Sequence, residues 1–153
     1  MVGLKIENDF YLIGTAEFLI SFFDNIHYHL ERNKHWGERY PLLLNSLYTN
    51  GKLCVSDIDK AVEELLEIKD KFKAIKAHEA IWDINDLKKV ALETTSQVKA
   101  NSNLAEYFIT PDGINIFDIF FEAFEISKIY KWDVIIWNMF KSMNDQPKPS
   151  QNK

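Results

Sequence analysis

The sequence predicts an α+β domain dominated by helix, with about four helices and a small sheet. Three observations carry this reading. Stretches rich in β-formers stand near both ends of the 153 residues. Apolar residues at steps of three and four fill the middle. Hydrophobic residues make up 46% and aromatics 14%, enough for a folded core in one domain of ordinary size.

The elements follow in order. "GLKIENDFYLIG" (3–14) is rich in β-formers and ends on Gly14, so it predicts one or two strands. Thr15 is placed to cap a helix whose stripe is Phe18, Leu19, Phe22, Phe23, Ile26 and Leu30. Pro41 suits the first turn of a short second helix, "PLLLNSLY", and Asn50-Gly51 suits its end. Ser56 and Asp59 resemble a capping box at the start of a third helix, with Asp in place of the usual Glu or Gln. Its stripe runs from Ile58 through Ala61, Val62, Leu65, Ile68 and Phe72 to Ile75. Its other face carries Glu63, Glu64 and Glu67 early and four lysines late, which complements the helix dipole and reads as a solvated face.

A short strand is expected at 80–84 and another at 107–109, followed by the turn Pro111-Asp112-Gly113. Asn115 can cap a helix with the stripe Phe117, Phe120, Phe121 and Phe124, read as core packing. "WDVIIWNMF" (132–140) predicts a final strand. The order is β-α-α-α-β-β-α-β. Residues 1–141 are expected to form one globular domain. Residues 142–153, "SMNDQPKPSQNK", read as a disordered polar tail.

The formal charge is −5, which disfavours nucleic acid as a ligand and favours a basic protein partner. A single cysteine, Cys54, cannot form an internal disulfide and fits a reducing compartment; between apolar neighbours it reads as a small buried side chain. The opening residues lack the apolar run of a signal peptide, and no stretch reaches the length of a membrane span. A cytoplasmic protein is expected.

"IHYHLERNKHWGERYP" (26–41) concentrates three of the four histidines with a Trp, two Tyr and several basic residues. On a helix, His27 and His29 lie about 200° apart and cannot share a metal. His29 falls inside the apolar stripe and His27 at its edge, so packing explains both and no metal or other cofactor is expected. "HEAIWD" (78–83) lacks the second His of a zinc-protease helix. There is no Gly-rich phosphate loop and no Gly-x-Ser-x-Gly elbow. No constellation supports catalysis. Trp36, Arg39 and Tyr40 are residue types that anchor protein interfaces, and Trp82 sits near Asp83 and Asp86. These give a candidate partner-binding set of Trp36, Arg39, Tyr40, Asp83 and Asp86.

The blocks "GLKIENDFYLIGTAEFLISFF", "YHLE", "WGERYPLLLNSLY", "IWDINDL" and "YFITPDGINIFDIFFEAFE" together resemble a bacterial immunity-protein family of polymorphic toxin systems, across residues 3–125. The resemblance implies a cytoplasmic protein that binds and neutralises a cognate secreted toxin domain by occlusion, without catalysis. It implies that the partner is a protein, with a basic nuclease as a candidate. It supplies no catalytic residues. The alternative is a small enzyme or ligand-binding domain that uses a histidine-lined pocket.

Overall fold

The computed structural model describes residues 1–89 and 102–138. Strands β1 (Val2–Ile6) and β2 (Asp9–Gly14) form a hairpin. β4 (Val134–Asn138) pairs with the other side of β1, and the two-residue β3 (Lys52–Leu53) pairs with β4. The sheet is antiparallel throughout, in the order β2-β1-β4-β3. Helices α1 (Ala16–Leu30), α2 (Ile58–Phe72), α3 (Leu104–Tyr107) and α4 (Ile116–Tyr130), with a π-helix over Leu42–Thr49, complete the α+β domain. The expected tail, 142–153, lies outside the described residues.

α1 begins as its sequence requires: the Thr15 hydroxyl accepts from the Phe18 amide at 3.1 Å. Its stripe is buried from Phe18 to Ile26. Phe22 is the hub of the core, with ring contacts to Phe23, Phe72, Phe108, Phe117 and Phe120 at 5.3–6.3 Å between centroids. Most are edge-to-face, the arrangement that the ring quadrupole favours. α4 begins at the Asn115 cap, and Phe117, Phe120 and Phe124 are buried. The helices and the inner side chains of the sheet form one core cluster.

Four expectations are corrected. No strand forms at 80–84. The buried Asn25 side chain holds that backbone instead: its amide nitrogen donates to Ile81 O at 2.8 Å, and its oxygen accepts from Ile81 N at 2.9 Å. Ser21 also donates to Ile81 O, and Asp24 accepts from Ile84 N. Polar groups along one edge of α1 therefore do what a neighbouring strand would have done. No strand forms at 107–109 either, because Asn103 and Glu106 make a reciprocal capping box that starts α3. Ile109 is left with a single bridge to Asn115.

The capping box expected at Ser56 and Asp59 is also absent. A 3-10 turn (Val55–Asp57) precedes α2, held by Asp133, whose Oδ1 accepts from Val55 N at 2.8 Å. Asp59 instead meets Lys128 of α4 at 2.7 Å. Finally, Cys54 is exposed rather than buried.

Candidate partner-binding site

The region 26–43 is organised by a carboxylate that the sequence does not single out. Glu31 follows directly on α1 and is 1% exposed. Its Oε1 accepts from Gly37 N at 3.0 Å and from His27 Nδ1 at 2.7 Å. Its Oε2 accepts from Arg39 N at 2.9 Å and from Tyr40 N at 3.0 Å. A loop would otherwise leave these amides unpaired, and a buried carboxylate is tolerated only when bonded this fully. One side chain thus fixes the return of the chain from α1 to the π-helix.

Two more glutamates extend this hold from α2. Glu64 accepts from Leu42 N at 3.2 Å and Leu43 N at 3.0 Å, orphan amides at the start of the π-helix. Burial raises the Glu64 pKa, and the two amide bonds work against that rise. Glu67 accepts from Tyr40 OH at 2.7 Å and from Arg39 Nε at 3.2 Å. The Tyr40 bond, then the Arg39 bond, lowers the Glu67 pKa. Burial, and then Glu67, raises that of the Tyr40 hydroxyl. The acidic face of α2 is therefore not simply solvated, as its charge pattern suggested.

Gly37 is required where it stands. It has φ +77°, and a Cβ there would lie 2.2 Å from Asn45 Nδ2. Trp36 packs between His27 (5.1 Å) and Tyr48 (5.6 Å). Its indole N–H reaches Leu44 O and the Thr49 hydroxyl, both at 3.2 Å.

Three of the five expected partner-binding residues are brought together here: Trp36, Arg39 and Tyr40 all lie on the loop that Glu31 pins. Their roles differ. Tyr40 is 1% exposed, so its ring belongs to the core and cannot anchor a partner. Trp36 is half-buried and bonded internally. Arg39 is exposed and paired with Glu67.

Asp83 and Asp86 belong to a separate turn whose Ile84 reaches the cleft beside this loop, and among the described residues no hydrogen bond or ion pair joins either carboxylate to the loop. Asp83 Oδ1 accepts from Asn85 N at 2.9 Å and Asp86 Oδ1 from Lys88 N at 3.3 Å, so each carboxylate shapes its own turn. The histidines are held separately: His27 on Glu31, and His29 through Nε2, which donates to Glu79 O at 3.0 Å. Burial lowers the His29 pKa and favours the neutral ring. An open cleft beside the loop is lined by His27, Tyr28, Arg32, Asn33, Lys34 and Ile84.

The polar groups of this region are spent on fixing backbone, and what they present is a rigid charged loop on a helical α+β domain. That describes a domain built to hold a surface in shape. The family model for Immunity protein 70 (Imm70) matches residues 4–136, and the chain belongs to that family. Nothing among the curated proteins or the solved structures matches it. Among the described residues no helix is long and apolar enough to cross a membrane.

Proposed function

We propose that this protein binds a cognate toxin domain in the cytoplasm and neutralises it by covering it, with no turnover. The observation that carries the reading is the match to the Immunity protein 70 family over residues 4–136. Two features support it. The formal charge of −5 suits a basic partner such as a nuclease domain, whose phosphate-binding cleft an acidic surface can imitate. The loop held by Glu31, Glu64 and Glu67 is fixed before any partner arrives, which lowers the ordering cost of binding.

Arg39, Asp83 and Asp86 are the charged contacts proposed, with Trp36 supporting the loop from beneath. Tyr40 acts only through its hydroxyl, by holding Glu67. The test is calorimetric titration against the cognate toxin domain, sought first as the C-terminal domain of a large secreted protein in the adjacent gene. A 1:1 complex is expected, and absence of heat and of co-elution overturns the reading.

The His27–Glu31 contact favours one second reading. Glu31 orients the His27 ring beside the open cleft, an arrangement that could serve a small ligand. A His27→Ala variant that still binds and neutralises the toxin domain would separate the two.

A further inference from the structure

The helices and the inner side chains of the sheet share one core, and strand alternation leaves the opposite face of the sheet apart from it. Val2, Leu4 and Ile6 of β1 are buried against the helices. Gly3 and Lys5 lie on the other face. Register then sets Leu12 and Trp137 on either side of Gly3, and Phe10 and Ile135 on either side of Lys5. Lys52 continues the second row beside Ile135.

None of Phe10, Leu12, Ile135 and Trp137 belongs to the core cluster or packs against it, and all four are partly exposed. A Cβ on Gly3 would meet Tyr11 O at 2.2 Å and the tip of the Phe10 ring at 2.8 Å, so glycine is what lets Phe10 lie across the sheet. The Lys5 ammonium stands 4.2 Å from the centre of the Trp137 ring. Lys5 makes no ion pair among the described residues, whereas Lys52 meets Asp133 at 3.5 Å.

Antiparallel sheets that face water normally alternate apolar with polar residues. Here large apolar side chains surround one cation that, among the described residues, meets an aromatic ring and no carboxylate. Contiguous apolar surface with an aromatic centre marks an interaction site. Such a centre is also what the loop at 31–43 does not offer, because Tyr40 is buried and Trp36 is bonded internally.

We infer that the outer face of the sheet, centred on Lys5 and Trp137, is the apolar core of the toxin interface, and that it takes a toxin surface whose apolar side chains surround a carboxylate set against Lys5. The identity of the occupant rests on the immunity reading; the face itself does not. A second copy of this chain fits less well. Two such faces stacked about a two-fold axis at Lys5 would set the Lys5 charges of both copies together, and Asp133, which is engaged by Lys52, is not free to answer them. Single-stranded nucleic acid could stack on these rings but would meet a chain of charge −5.

The experiment is titration of the full chain and its Lys5→Glu, Lys5→Met and Leu12→Asp variants against the cognate toxin domain identified by the titration above. Circular dichroism and melting temperature confirm that each variant is folded, and the partial exposure of both positions favours that. Lys5→Glu, Leu12→Asp and Lys5→Met are each expected to weaken Kd by about 30-fold or more, Lys5→Met because it keeps the apolar stem but leaves the toxin carboxylate buried without its partner. If the parent binds and the folded charge-introducing variants stay within about two-fold of it, the sheet face is refuted while the immunity reading stands. If the parent does not bind, the immunity reading fails and the proposed occupant fails with it. Sedimentation of the chain alone completes the test. A concentration-dependent dimer abolished by Leu12→Asp would assign the face to a second copy and overturn the proposal.

Discussion

Replacing Glu31 tests whether one carboxylate holds the loop between α1 and the π-helix. Glu31→Ala leaves the amides of Gly37, Arg39 and Tyr40 without their acceptor and removes the partner of His27. An orphaned buried donor costs about 1–3 kcal/mol, and some of that returns as water enters the space. A loss on the order of 3–5 kcal/mol is therefore expected.

Glu31→Gln is the sharper variant, because it keeps the volume. With the amide oxygen in the Oε2 position, the Arg39 and Tyr40 bonds survive as weaker neutral ones. The amide nitrogen then faces the Gly37 N–H, donor against donor, so about 1–3 kcal/mol is expected to go. Urea unfolding followed by tryptophan fluorescence measures both, and Trp36 reports locally because its ring lies against His27. A Glu31→Gln midpoint within about 0.5 kcal/mol of the parent would refute the claim that this carboxylate holds the loop.

Other substitutions probe separate parts of the account. Gly37→Ala is expected to cost at least about 1–2 kcal/mol, because φ is +77° and Asn45 must move; an unchanged melting temperature would show that the loop relaxes freely. Phe120→Ala is expected to cost about 3–5 kcal/mol by opening a cavity beside Phe22, Phe23 and Phe124, read from the denaturant midpoint. The lowered His29 pKa means that the fold favours the neutral ring. That contribution is complete above the ordinary value of 6.5 and is lost as pH falls through the lower folded value, so the parent should lose stability on acidification below pH 6.5 faster than His29→Gln. Equal slopes for the two proteins would remove His29 from the pH dependence. Asp83 and Asp86 replaced together by Asn keep their turn-forming oxygens but lose charge, so association with the toxin domain should slow by an amount equivalent to about 1 kcal/mol per residue or less. Association that ignores both this change and added salt would reject electrostatic steering.

The helices with strong local signals were legible in the sequence. Thr15 and Asn115 cap where their side chains can reach an amide, and the stripes of α1 and α4 are buried because three-and-four spacing leaves them no other face, except Leu30 and Phe121, which are half-buried at the stripe edges. What escaped depends on long-range pairing. The segment 80–84 is β-like in composition, yet Asn25, about 56 positions earlier, takes the place of a neighbouring strand. The two-residue β3 has too little sequence to show a period. At the candidate site, Trp36, Arg39 and Tyr40 stood out by residue type, but Glu31 looked like any helix-terminal acid and Glu64 and Glu67 like part of a solvated stripe. Their roles arise only when α2 packs beside the loop. The "YHLE" block contains Glu31, and the one local hint is its position four residues after His27.

The central claim is the proposed neutralisation by occlusion, and the most direct measurement is the activity of the cognate toxin domain titrated with this protein. Occlusion predicts that activity falls linearly and vanishes at one equivalent. It also predicts that dissociating the complex returns an intact, active toxin domain. Activity unchanged at excess protein would contradict the account, as would complete inactivation by a small fraction of an equivalent, which would mark an enzyme.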